Sequence, residues 1–257
     1  FFKQKTAYDL MPSLVGSEMC IRDRIFTIGL SRIRLLHNEQ LKAGKSTLID
    51  EMFDGVRYVV GHSSIGPLLL LIMIGAVFSR SFMDLFPGFA DQIFHRGPEG
   101  LGVLFSAVGA GGIFGALWLA NYGKTAGLTK VSLGTLFMTS VFLLIFSATT
   151  IFWLGVVTAA LTGASLAITA NSSQILIQNK VKGSMRGRVM SIYGLTYRAG
   201  PAIGALLMGM ASTWAGLQVP VAAGATICLI SLIFVLPHYK RLAVELEEEM
   251  SFEINEK

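Results

Sequence analysis

Six apolar blocks, at approximately 66–86, 100–120, 131–149, 151–171, 189–213 and 216–236, take up most of the chain beyond residue 65. Each is about 20 residues or longer, enough for a helix to cross a bilayer core of about 30 Å at about 1.5 Å per residue. The chain is 53% hydrophobic and only 14% charged, where a soluble domain carries about 25% charge. Its apolar residues fall in long blocks and not in short amphipathic periods, which predicts a polytopic membrane protein. The connections after spans three and five are very short, so those neighbours must be antiparallel hairpins. The fifth block, Val189 to Thr213, carries one formal charge, Arg198, and follows the densest basic cluster near any span: Lys180, Lys182, Arg186 and Arg188.

Charge in the loops sets the orientation. Lys124 and Lys130 follow span two, the basic cluster follows span four, and Lys240 with Arg241 follows span six. The loop after span one, PGFADQIFHRGPEG, sets Arg96 against Asp91 and Glu99. Every even-numbered exit is basic, so these exits and the C-terminus are expected in the cytoplasm. Trp118, Trp153 and Trp214 lie near span ends, as an interfacial belt requires. The six-helix domain is expected over 65–237, followed by an acidic cytoplasmic tail, 238–257.

Other classes are excluded. The net charge of +5 comes from Lys and Arg set between apolar blocks, so no basic face for nucleic acid forms. Cys20 and Cys228 are too few for a disulfide framework or a metal site. His37, His62, His95 and His238 all fall outside the spans, and no carboxylate pair or Ser-His-acid set shares a face, so an enzyme is not expected. AGKST near residue 45 is not a phosphate loop, because Glu39 stands where its first glycine would be.

Residues 1–24 resemble translated sequencing-adapter read-through and are set aside from fold reasoning. On that reading the true N-terminal part is missing and the remainder is a fragment. Residues 25–64 then hold the end of a preceding helix, Ile25 to Leu30, and a central cytoplasmic loop. Within that loop Thr47 to Tyr58 predicts an amphipathic helix with Leu48, Met52, Val56 and Val59 on one face and Thr47 with Asp50 as a capping pair. It either lies on the membrane surface or packs under the bundle.

The chain also echoes itself. Gly111 to Ala120 reads GGIFGALWLA, and Gly200 to Gly209 reads GPAIGALLMG. Both carry Gly-x-x-x-Gly-Ala-Leu on the middle helix of a three-span set, and such small-residue faces let neighbouring backbones approach closely. Span two would run inward and span five outward, so the sets would be related by inversion. With this echo, the segments FDGVRYVVGHSSIGPLLLL and MRGRVMSIYGLTYRAGPAIGALLMG resemble the C-terminal half of a major facilitator superfamily protein. The similarity is to the enterobactin-exporter-like, or transmembrane secretion effector, branch, and it covers Ile25 to about Arg241. Gly200-Pro201-x-x-Gly204 also resembles the antiporter glycine-proline motif. That motif belongs on the fifth helix of the whole protein, though, and Thr196 stands where it would have glycine, so Gly111, Gly115, Gly200, Pro201 and Gly204 are read as packing elements.

The charges within spans are the functional candidates, because each is expensive in hydrocarbon. Arg198 is expected roughly 15 Å from the inner end of span five, facing the interior or a water-filled cavity. Arg80 lies about 9 Å from the outer end of span one, where it can snorkel or pair with Asp84 at i,i+4. Asn171, Gln174 and Gln178 share a face at the inner end of span four, either lining the cytoplasmic mouth or simply ending a helix. Arg186 and Arg188 are first of all orientation signals.

The resemblance implies an all-α integral membrane fold: six transmembrane helices as two inverted three-helix repeats, half of a twelve-helix carrier. It implies a multi-pass plasma-membrane transporter exporting small organic, siderophore-like or drug-like molecules by alternating access. The proton gradient would be the energy source, with no bound cofactor. Its partners would be the substrate, the lipid bilayer and the missing half of the chain, and Arg186 and Arg188 would belong to a cytoplasmic gate. Arg198 would attract an anionic substrate group, pair with a carboxylate of the missing half, or be satisfied by helix carbonyls. The rivals are a non-transporting membrane scaffold or sensor, which Arg80, Asp84 and Arg198 argue against, and a lipid flippase.

Overall fold

The computed structural model describes residues 48–62, 65–123, 127–181, 183–239 and 243, and among them every regular element is a helix. A short helix α1 (Leu48–Gly61) precedes α2 (Ile65–Ile93), α3 (Gly97–Tyr122), α4 (Leu128–Ala148), α5 (Phe152–Lys180), α6 (Gly183–Ala215) and α7 (Gln218–Val235). Residues 1–24, the Ile25–Leu30 helix end, the capping Thr47, Lys124, Lys182, Lys240, Arg241 and nearly all of the acidic tail lie outside the described residues.

Five helices, α2 to α5 and α7, are long and apolar enough to cross a membrane. The sequence predicts six. α6 is the longest at 33 residues, but its arginines and its tyrosine, threonine and glycine content make it more polar than the other five. The burial pattern inverts that of a water-soluble protein. Ile113, Phe114, Leu117, Leu206 and Phe234 face outward, while Ser132, Thr139, Ser140, Thr158, Thr162 and Ser172 are buried between helices. Most of these hydroxyls donate to the carbonyl one turn back, as Thr162 does to Thr158 O at 2.8 Å, so little polarity is left unsatisfied where water is absent.

α2 departs from the predicted 66–86 span and is not a uniform α-helix. After Ile74 it widens to an i→i+5 turn, with Arg80 N donating to Gly75 O at 3.1 Å, then tightens to a 3₁₀ turn over Ser81–Leu85. It continues through Pro87-Gly88, which the sequence reading places in a loop, and ends in a second wide turn at Phe89–Ile93. Pro87 is tolerated because it sits in the first turn of a fresh helical segment, where its missing N–H has no intrahelical partner to lose. What draws the segment onward is burial: Phe82, Phe86, Phe89 and Phe94 close around Phe146 of α4, with the Phe89 and Phe146 centroids 4.9 Å apart. Gly155 of α5 makes the space, since a Cβ there would strike the Phe94 ring. The chain then reverses at His95 and Gly97, both in the left-handed region (φ 51° and 53°), and the His95 Nδ1 lies 3.1 Å from Asp91 O.

That aromatic cluster forms one apolar core. A second gathers at the opposite end of the bundle, where Ile65, Leu68 and Leu69 of α2 meet Leu128, Leu176, Ile177, Val189 and Tyr193. α1 joins it through buried Val59 and packs on α6: a Cβ on Gly55 would meet Ile192 Cδ1 at 2.9 Å, and the Asp54 carboxylate lies 3.4 Å from the Arg188 guanidinium. Of its two predicted placements α1 therefore takes the packed one. Among the α1 residues whose side chains are described, Gly55, Tyr58 and Val59 face the bundle, while Val56, predicted on the apolar face, is exposed; the predicted Leu48 and Met52 side chains lie outside the description.

Small residues set the helix seams. On α3, a Cβ at Gly111 or Gly115 would land on the backbone of Ala160 or Ala164 of α5, and one on Gly163 of α5 would land on Val108. On α6, a Cβ at Gly200 would meet Ala76 at 2.9 Å, and one at Gly204 would run into Val77 and Ser81, all on the irregular part of α2. Ser81 also bridges this seam, its hydroxyl lying 3.0 Å from Pro201 O.

Candidate functional site

Between the two apolar cores lies a cavity of about 220 Å³. α2 lines it from Leu68 to Met83, α4 and α5 supply Ser132, Leu136, Thr169 and Ser173, and α6 supplies Tyr197. Arg80 is the charged residue on its wall, among the described residues. Its guanidinium carbon sits 4.2 Å from the centre of the Tyr197 ring, a cation–π contact. Tyr197 in turn stacks on Tyr193, centroids 5.9 Å apart and planes 11° from parallel, and the Tyr193 hydroxyl donates to Ala170 O at 3.0 Å. Arg80 is thus held on an aromatic stack that is itself pinned to α5.

The extension of α2 changes the depth of Arg80. It stands 13 residues before Ile93, roughly 20 Å from that end of the helix by the α-helical rise of about 1.5 Å per residue. The snorkelling distance read from the shorter predicted span does not apply, and the side chain is directed into the bundle. Nor does Arg80 pair with Asp84. No ion pair joins them among the described residues, and Asp84 is exposed. In the 3₁₀ turn between them, residues four apart lie about 120° apart around the axis, against about 40° in an α-helix.

The remaining candidates are scattered. Arg198 is exposed on α6 and lies off this cavity, one position and so about 100° around the helix from Tyr197, which lines it. Asn171 is exposed, Gln174 and Gln178 are half-buried, and none of them lines the cavity. Arg186 is exposed, while Arg188 meets Asp54 of α1. Gly111, Gly115, Gly200 and Gly204 are buried in the seams described above, with Pro201 beside them inside α6.

Sequence reasoning missed the hydroxyl face opposite Arg80. Ser132 of α4 and Ser173 of α5 lie 2.8 Å apart, as do Thr135 and Thr169 one turn along. The available signal was spacing: Ser132 and Thr135 are i,i+3, and Thr169 and Ser173 are i,i+4, so each pair shares a helix face. Tyr193 and Tyr197 follow the same i,i+4 rule.

No group of His, Cys, Asp or Glu among the described residues could hold a metal ion. The family model of the Major Facilitator Superfamily matches residues 68–251, which take in the cavity and both glycine seams. No curated protein and no solved structure matches the chain.

Proposed function

The chain belongs to the Major Facilitator Superfamily, and from that premise we propose that it is a secondary active transporter whose substrate binds in the Arg80–Tyr197 cavity. The observation that carries the reading is a charged side chain kept at mid-depth in an apolar bundle, on the wall of an internal space. A charge there costs at least about 2.5–3.5 kcal/mol on insertion scales and is retained where it has work to do.

Two inverted three-helix repeats are part of the same proposal. Its support is the pairing of the echo: the middle helix of each triplet, α3 or α6, lays its Gly-x-x-x-Gly on the first helix of the other triplet, α5 or α2. In such a carrier α6 is the sixth span, access alternates as packed units rock, and the site stays near the midplane. The plasma membrane, export of small organic molecules and coupling to protons complete the reading, as the resemblance implies, together with the cytoplasmic C-terminus expected from the basic even-numbered exits. Among the described residues no carboxylate lines the cavity, so a coupling carboxylate would lie elsewhere.

The test is solute movement. Proteoliposomes containing the full chain are loaded with a mixture of small organic acids, bases and neutral compounds, and a pH gradient is imposed in either direction. The expected result is gradient-dependent loss of at least one solute, followed by mass spectrometry and abolished by a protonophore. If no solute moves faster than from protein-free vesicles under either gradient, the transporter reading is wrong.

A further inference from the structure

We infer that Arg80, braced by Tyr197, selects the charge of the bound molecule, and that the cavity takes a small organic monoanion: a carboxylate on a compact apolar body. This rests on the cavity being the substrate site. Guanidinium carries five N–H donors and no acceptor. Tyr197 occupies one face of it at 4.2 Å, so the edges, with their paired N–H groups, remain to meet a ligand in the cavity. A planar carboxylate fits such an edge with two parallel hydrogen bonds.

The serine and threonine hydroxyls on the wall are already engaged, and besides Arg80 the Tyr197 hydroxyl is the polar side-chain group of the lining with no partner among the described residues. Ser132 and Ser173 bond to each other at 2.8 Å, and Thr169 donates to Ser165 O at 2.9 Å. The open capacity of the site is thus mainly donor capacity at Arg80, and among the described residues no Asp or Glu lines the cavity to neutralise it. The missing negative charge is what a ligand would bring. A single cation matches a monoanion better than a dianion. The rest of the wall is apolar, with Leu71, Leu136 and Leu166 on three helices, which suits a hydrocarbon or aromatic body. Its size, about 220 Å³, falls below the roughly 300–1,000 Å³ of pockets for drug-sized ligands, so the body is compact.

The experiment compares isosteric pairs on the purified full chain in detergent: benzoate with benzamide, and hexanoate with hexanamide, by calorimetric titration and by ligand-induced change in Tm. The carboxylates are expected to bind at least tenfold tighter than the amides. Arg80→Gln should remove that preference, and Arg80→Lys should restore part of it, because an ammonium keeps the charge but loses the fork. Tyr197→Phe keeps the ring and should retain a preference for the carboxylates, while Tyr197→Leu should lose the preference as Arg80→Gln does. Circular dichroism confirms that each variant is folded, and the tyrosine pair supplies the answer if Arg80→Gln is not. Equal binding of carboxylates and amides, binding of neither, or a preference that survives in Arg80→Gln or Tyr197→Leu would overturn the inference. Gradient-driven movement of solutes without any preference for anions would sink this assignment alone, whereas carboxylate binding without movement would sink the transport reading alone.

Discussion

The seam between α3 and α5 and the seam between α2 and α6 are built from the same residue code and end as different structures. In both, two glycines four apart are buried against a neighbour, and the following leucine turns outward to nearly the same degree, 62% exposed at Leu117 and 65% at Leu206. The difference lies in the partner. α5 is an uninterrupted α-helix, so α3 meets it backbone to backbone through Ala160 and Ala164. α2 is unwound where α6 meets it, first to a wide turn and then to a tight one. Arg80 stands where the turn changes, over the Tyr197 ring and on the cavity wall. A glycine face makes a strut against a regular helix and, on the proposed reading, a site against an irregular one.

Substitutions at the two seams separate these roles. Gly115→Ala should cost the most, about 2–3 kcal/mol, because its Cβ strikes backbone that a regular helix cannot withdraw. Gly200→Ala should cost less, about 1 kcal/mol, because its Cβ would meet chiefly the Ala76 methyl, at 2.9 Å. Reversible unfolding in mixed micelles reads both, and equal losses would break the contrast between strut and site. Ser81→Ala should follow with about 1 kcal/mol, the ordinary net worth of a hydrogen bond, here one proton shared between Val77 O of its own helix at 2.7 Å and Pro201 O across the seam at 3.0 Å. An unchanged midpoint would mean that the glycines alone hold the α2–α6 seam.

A smaller term sharpens the picture on the far wall of the cavity. A double-mutant cycle on Thr135→Val and Thr169→Val should give a coupling of about 0.6 kcal/mol, as interhelical hydroxyl bonds in membranes do. A coupling near zero would mean that each hydroxyl is satisfied by its own helix. The smallest effect is expected at Asp54→Asn. The Asp54–Arg188 pair is exposed, so its loss should move stability by no more than about 0.5 kcal/mol, and added salt should erase even that. A larger loss that persists in salt would show that α1 is clamped to α6 by charge and not by the fit of Gly55.

Much of the architecture was legible in the sequence. Each of the six apolar blocks corresponds to one helix from α2 to α7, and the glycine echo marks the buried face of both α3 and α6. The end of α2 was not legible. Pro87-Gly88 carries an ordinary turn signal, and only the burial of Phe86, Phe89 and Phe94 against α4 overrides it. With the shorter span Arg80 looked shallow, and its place on the cavity wall was not legible. Adjacent positions on a helix differ by about 100°, and α6 is mixed in polarity on every side, so its pattern did not reveal that Tyr197 faces in while Arg198 faces out. The Ser and Thr pairs of α4 and α5 were hidden for a related reason: a hydroxyl that bonds its own helix looks the same in a sequence whether it faces lipid or a neighbour.

By itself, then, the sequence determined that this chain is a bundle of apolar helices with glycine-lined contacts, because block length and hydropathy are sums over local residues and need no knowledge of neighbours. The tertiary structure decided which charge points inward. That depends on the turn angle at each residue of α2, and those angles are set by aromatic rings and glycines contributed from three other helices.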